Sequence, residues 1–431
     1  MKLFRPQFAA APLAAVLGLA LLTGAPGARA DTGRARDGWT AAWAASPQLP
    51  STGFTPNWSQ EGFSHQTVRQ VVRVTEGGDR ARVRISNAYG TSPLTVTGAT
   101  IARTEKGAAV EHGSTRNLTF SGRRSVTVPA HGELRSDAAP LHLERLESVT
   151  VTFYLAGTTG PATFHAQGFT DTYRAEGDRH ADSSGRAFTD ITQSWYYLSG
   201  VEVSGRKPGD GVVLLGDSLT DGFGSTPGAD RRYSDALAER IGRPVLNSGI
   251  GGNLVLNDSA WYGERATARF GRDVVDQPGV SAVVLLEGVN DLGFSEVSDQ
   301  PTFKPSPVID SAELIAGYRK LIRAAHDHGL WIIGATLAPL KGSDHWGSHA
   351  AKVSEEVNHW IRTSGEFDAG ADFARALADP ADPARMNPAY DSGDHLHPND
   401  AGYGVMAETV ADALGDGPGG RVQGLRRGAI R

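Results

Sequence analysis

The sequence predicts a doubly wound α/β domain with a parallel, flavodoxin-like sheet, preceded by an all-β sandwich of jelly-roll type. Three observations carry this expectation. From Trp39 to about Gly205 apolar residues mostly alternate with polar ones, the period of half-buried strands. From about Lys207 onward, continuous apolar runs are followed by glycine-rich turns and helix-period segments, the pattern of parallel strands buried on both faces. The chain also has the means for two cores, with 431 residues, 39% of them hydrophobic and 21% charged.

The N-terminus is read as a leader. Lys2 and Arg5 form a basic start, Phe8 to Leu22 is apolar, and Ala28-Arg29-Ala30 supplies the small-x-small pattern of signal-peptide cleavage. The apolar run contains Pro12 and falls short of the ~20 residues a membrane span needs. Residues 1–30 are therefore expected to be removed, leaving a secreted, extracellular chain with no transmembrane segment and a formal charge near −9 in place of −6.

Residues 31–205 are assigned to the β-sandwich. Ala81-Arg82-Val83-Arg84-Ile85 turns small and apolar side chains to one face and arginines to the other. Leu94 to Ile101, Ser125 to Val128 and Ser148 to Leu155 are further β-branched runs, punctuated by Gly77-Gly78-Asp79, Ser121-Gly122 and Ala130-His131-Gly132 as turns. The aromatics Trp39, Trp43, Trp58, Phe164, Trp195, Tyr196 and Tyr197 are expected in its core.

Residues 206–415 are assigned to the α/β domain. Val212 to Leu215, Pro244 to Asn247, Val280 to Leu286 and Trp331 to Leu337 are its expected strands. Tyr233 to Ile241, Ala312 to His328, Ala350 to Thr363 and Asn399 to Leu414 are its expected helices, with Leu314, Ile315, Tyr318, Leu321 and Ile322 on one stripe of the second. His326 and His328 are read as C-terminal caps of that helix. The glycine-rich tail 416–431 is expected to be disordered.

Composition excludes several classes of function. There are no cysteines, so disulfides, thiolate nucleophiles and Cys-bound metals are ruled out. With 42 Lys+Arg against 48 Asp+Glu the chain lacks a basic signature for nucleic acid. His345, His349 and His359 lack a His-Glu-x-x-His pattern, so no metal is assigned, and the glycines at 249–252 lack a nucleotide fingerprint, so no cofactor is assigned.

In a doubly wound sheet ligands gather at the carboxyl ends of the strands. Four blocks fall there. They are Gly216-Asp217-Ser218-Leu219-Thr220-Asp221-Gly222, Asn247-Ser248-Gly249-Ile250-Gly251-Gly252-Asn253, Gly288-Val289-Asn290-Asp291, and Asp394-His395-Leu396-His397-Pro398 before the last helix. In this order they resemble the SGNH (GDSL) hydrolase family of serine esterases and lipases, over about residues 210–415. The whole chain resembles secreted actinobacterial members with an N-terminal β-domain. The resemblance implies that Ser218 is the nucleophile, His397 the base and Asp394 the triad acid. It implies an oxyanion hole built from Ser218, Gly252 and Asn290, and no cofactor.

The chemistry of the residues fits those roles. A serine hydroxyl needs a base to attack, imidazole titrates near working pH, and a carboxylate three residues away can orient the ring. The Ser218 and Gly252 N–H groups and the Asn290 amide are candidate donors to a developing oxyanion. Competing readings exist: Ser218 or Asn290 as a helix cap, Gly251 in place of Gly252, and His395 in place of His397, although His395 fits better as a wall residue. Asp217 and Asp221 are read as loop-stabilising acceptors, and loop 341–349, with His345 and His349, as either a groove wall or a solvated connection.

The expected activity is hydrolysis of an ester through a covalent acyl-enzyme, rising with pH as His397 becomes neutral at about 6–7. Acylated carbohydrate or another short-chain ester is the preferred substrate, a polysaccharide being the natural candidate. A lipase or phospholipase acting on lipid, and a non-catalytic carbohydrate-binding surface protein, are the alternatives.

Overall fold

Alternating β-branched and aromatic residues in the N-terminal half build two antiparallel sheets. In the computed structural model, which describes residues 38–205, 209–297 and 300–415, four strands lie in the order Trp39–Ala44, Leu198–Ser204, Arg80–Ser86 and Glu133–Arg135. The second sheet runs Asp190–Thr192, Thr172–Glu176, Gln66–Arg73, Ser148–Leu155, Gly98–Lys106 and Ala109–Val110, with Arg116–Asn117 also paired to Gly98–Lys106. Val83, Ile85, Val201 and Val203 of the first sheet share a core with Val68, Ile101, Val151 and Phe153 of the second. Trp43, Trp58, Phe164, Trp195, Tyr196 and Tyr197 are buried in the same core, while Trp39 is half-buried beneath the Arg82 guanidinium. The leader expected at 1–30 and the tail expected at 416–431 lie outside the described residues.

Three details of this half depart from the sequence reading. The run Leu94 to Ile101 is two strands, Leu94–Val96, which forms a separate ribbon with Val126–Val128, and Gly98–Lys106 of the second sheet. The arginine face of Arg80–Ser86 is not free: Arg84 is buried and donates to Gln277 Oε1 at 2.8 Å, because the α/β half covers that face. The first strand is covered on both sides. Ala42 faces the sandwich core, whereas Ala41 and Ala44 join the core of the α/β half, the switch coinciding with a bulge between Ala41 and Trp43.

The C-terminal half is a five-stranded parallel sheet in the order Val245–Gly249, Gly211–Gly216, Val280–Leu286, Trp331–Ala335 and Ala369–Ala371. Numbered along the chain this is 2-1-3-4-5, the flavodoxin-like order. Helices Tyr233–Ile241, Ser311–Asp327, Ser348–Thr363 and Asp400–Gly415 pack on it, that at Ser311 starting with a capping box between Asp310 and Glu313. His326 contacts Asp368 in place of capping its helix. Among the described residues no helix is long and apolar enough to cross a membrane.

Val245–Gly249 is the edge strand, and its outer side meets the N-terminal half. The Thr75 hydroxyl accepts from Val245 N–H at 3.1 Å and lies 2.9 Å from both the Val245 and the Ala42 carbonyl oxygens.

Candidate active site

The switch point of a 2-1-3-4-5 sheet lies between its first and third strands, here Gly211–Gly216 and Val280–Leu286. The chain leaves the first strand through Asp217, whose side chain caps the short helix Ser218–Asp221 by accepting from Leu219 N–H at 3.0 Å. Asp217 rather than Ser218 is therefore the cap. Ser218 stands at the first helical position, where its N–H has no acceptor within the helix.

The fourth block meets it from the far end of the sequence. Ser218 Oγ lies 2.8 Å from His397 Nε2, and His397 Nδ1 lies 2.6 Å from Asp394 Oδ2. A carboxylate only accepts, so Nδ1 carries the ring proton and Nε2 turns its lone pair to the hydroxyl. Asp394 Oδ1 also accepts from the Leu396 and His397 N–H groups at 3.0 and 2.8 Å. Burial opposes the charged form of Asp394, but the hydrogen bond and charge of His397, with these backbone donors, hold its carboxyl well below the usual range. His395 does not compete. Its backbone is left-handed at φ +63°, its Nδ1 bonds Asp391 Oδ2 at 2.6 Å, and Leu396 takes the wall position expected of it.

Blocks two and three reach the same place. Gly252 and Asn290 line the same pocket as Ser218, Asp394 and His397. Gly252 has φ +77°, and a Cβ there would lie 2.4 Å from the Tyr262 ring, so both backbone sign and space require glycine. The Gly251 N–H is occupied, donating to Asp221 Oδ2 at 2.9 Å. Asn290 sits in the first turn of helix Val289–Glu296 and donates from Nδ2 to the Asn253 carbonyl at 2.9 Å. Next to it, Asp291 accepts from Val255 and Leu256 N–H at 2.8 and 3.1 Å, tying block three to the end of block two.

Loop 341–349 divides. Asp344 and His345 line the pocket, whereas His349 lies in helix Ser348–Thr363 and contacts the Ile309 carbonyl. The pocket is about 420 Å³, and its apolar wall comprises Phe54, Phe223, Tyr262, Phe294, Phe303 and Leu396. Phe294 and Phe303 stack at 3.9 Å, and Phe54, from the N-terminal half, stacks on Tyr262 at 5.6 Å. None of this aromatic wall was read from sequence, where these residues stand in separate segments that share no periodicity.

Arg269 was missed as well. Fully buried, it donates to the carbonyls of Gly216 and Ser248, to Glu287 and Asp273, and to Asn253 Oδ1. One guanidinium thus joins the ends of the three strands that launch the first three blocks, using the fixed fork that lysine lacks. Around it burial raises Asp217 and Asp291 to about 7 each, the nearby Asp291 charge adding to the shift of Asp217.

The arrangement can pass a proton from hydroxyl to imidazole and offer N–H donors to charge developing beside the hydroxyl. No curated protein matches the sequence. Among solved structures, the chain is similar to a family two carbohydrate esterase from Clostridium thermocellum, at 12% identity over 87% of this chain and 99% of that one, TM-score 0.37. It is also similar to a family two carbohydrate esterase from Cellvibrio japonicus, at 13% identity over 89% and 96%, TM-score 0.32. A third similar structure, an acetylxylan esterase from Geobacillus stearothermophilus, has 22% identity over 48% of this chain and 95% of its own, TM-score 0.36. The profile of the GDSL-like lipase/acylhydrolase family matches residues 214–405 of this chain.

Proposed function

We propose that the protein is a serine ester hydrolase working through a covalent acyl-enzyme, with Ser218 as nucleophile, His397 as base and Asp394 as its orienting acid. The observation that carries this reading is the unbroken hydroxyl–imidazole–carboxylate chain, 2.8 and 2.6 Å in its two links, facing the pocket that Gly252 and Asn290 line.

Ser218 Oγ bonds to the ester carbonyl carbon while its proton passes to His397 Nε2. The Ser218 and Gly252 N–H groups and the Asn290 amide stabilise the oxyanion. The bond to the alcohol breaks, and His397 protonates the leaving oxygen. Water then attacks the acyl-enzyme, giving its proton to His397. Release of the acid returns that proton to Ser218.

The sequence favours short-chain esters, with acylated carbohydrate first. The aromatic wall favours, among such esters and the longer-chain alternative, those whose apolar portion exceeds an acetyl group. Residues 1–30 are proposed as a cleaved leader of an exported protein, 31–205 and 206–415 as its two domains.

The decisive experiment is labelling with a fluorophosphonate, combined with an acyl-chain series sharing one alcohol. Labelling at Ser218, its loss in Ser218→Ala with an unchanged melting profile, and turnover abolished in that variant are expected. Across the series kcat/KM should rise from acetyl by up to about four-fold per methylene until the pocket is filled. An unlabelled folded protein would favour the non-catalytic reading, and a maximum at acetyl would remove the preference for bulkier groups.

A further inference from the structure

His345 makes two polar contacts, and both partners restrict its protons. Its Nδ1 lies 2.7 Å from Asp344 Oδ1, and its Nε2 lies 3.1 Å from Asn290 Oδ1. The orientation of the Asn290 amide follows from its other contact. Nδ2 faces the Asn253 carbonyl at 2.9 Å, and the flipped amide would set two acceptor oxygens against each other. Oδ1 therefore faces His345 and can only accept. The Asp344 carboxylate can only accept as well. Each ring nitrogen is thus placed to donate, Nδ1 to the carboxylate and Nε2 to the amide oxygen.

The surroundings fix the ring in this pose. His345 is buried, with the edges of Phe294 and Phe303 meeting it at 5.7 and 5.9 Å between centroids. Gly293, on the same helix as Asn290, makes the space, since a Cβ there would come within 2.0 Å of His345 Cδ2.

We propose that His345 is a positioning residue for the oxyanion hole, donating to Asn290 Oδ1 so that the amide is held in one orientation and its N–H bonds are polarised toward the substrate. This rests on the ester-hydrolase reading above. Withdrawing electron density through the amide makes Nδ2 a stronger donor, as chained hydrogen bonds strengthen one another. The same bond prevents the flip that would turn an acceptor into the hole.

The test compares His345→Phe, which keeps the aromatic packing without donors, with His345→Gln, which keeps a donor, and combines the first with Asn290→Ala. His345→Phe is expected to lower kcat by about ten- to a hundred-fold with KM within about two-fold. His345→Gln should recover much of that loss, and the double variant should be no slower than Asn290→Ala alone. Wild-type kcat in His345→Phe, multiplying losses in the double variant, or a folded His345→Gln no faster than His345→Phe would each overturn the proposal.

Nitrogen-15 spectra of histidine-labelled protein give a readout independent of turnover, usable even if His345→Phe does not fold. The resonances absent from His345→Gln should show two protonated ring nitrogens, and a single protonated nitrogen overturns the assignment. Wild-type protein lacking both turnover and Ser218 labelling would instead refute the hydrolase reading, leaving the spectra to decide the placement of protons on His345.

Discussion

His165 Nε2, in the N-terminal half, lies 3.1 Å from Asp221 Oδ1 of the short helix that Ser218 opens, and both side chains are buried. His165 Nδ1 meets the Ser46 carbonyl at 3.0 Å, so this ring too donates twice. Burial by itself would lower the imidazole pKa, but the charge and hydrogen bond of Asp221, with the Ser46 carbonyl, raise it. The resulting stabilisation is full below the ordinary value of ~6.5 and is lost as pH climbs through the raised one. His165→Phe is expected to destabilise the protein by about 3–5 kcal/mol at neutral pH, by stranding Asp221. Denaturant titration should show part of this regained in His165→Phe/Asp221→Asn, and a narrowing gap to wild type as pH rises.

Asn290→Ala removes one donor from the proposed hole while leaving the hydroxyl–imidazole chain intact. Steady-state kinetics should show kcat lower by about 10²–10³ with a much smaller change in KM.

Arg269→Met leaves Glu287 and Asp273 without the guanidinium they share and frees the Gly216 and Ser248 carbonyls. Methionine keeps an unbranched stem but supplies no donor. Calorimetry or denaturant unfolding should report a loss on the order of 3–5 kcal/mol.

Phe54→Ala removes the part of the pocket wall contributed by the N-terminal half, a ring 44% exposed and stacked on Tyr262. KM for bulky acyl esters should rise by about three- to ten-fold, while kcat/KM for an acetyl ester stays within about two-fold.

Asp217→Asn keeps the helix cap and removes a carboxyl that burial and Asp291 push up to about 7. A raised carboxyl contributes stability that is full below its unfolded value of ~3.9 and is lost as pH rises through the folded one. Unfolding free energy measured between about pH 5 and pH 8 should therefore decline less steeply in the variant, by up to ~1.4 kcal/mol per pH unit for a full proton.

Much of the α/β half can be read directly because its cues are local. Val212 to Leu215 and Ala282 to Leu286 are unbroken apolar runs, each followed by a polar block, and the topology of such a sheet sends those blocks to one rim. Ser218, Gly252, Asn290, Asp394 and His397, the residues of the proposed site, fall in such blocks of four to seven residues. What remains hidden depends on contacts between distant segments. Arg269 is indistinguishable in sequence from a surface arginine, Phe54 and Phe303 sit in irregular loops, and His345 acquires meaning only beside Asn290. Arg84 illustrates the converse, since its alternation is right while the face it points to is covered by a segment almost two hundred residues away.

The Thr75 hydroxyl answers both main-chain groups of Val245 on the outermost parallel strand. A hydrolase half made alone would expose that strand as an open template, inviting neighbouring molecules to zip onto it. The N-terminal sheets therefore act as a permanent guard against self-assembly, and grafting the esterase half elsewhere would require a replacement for that guard before any question of turnover arose.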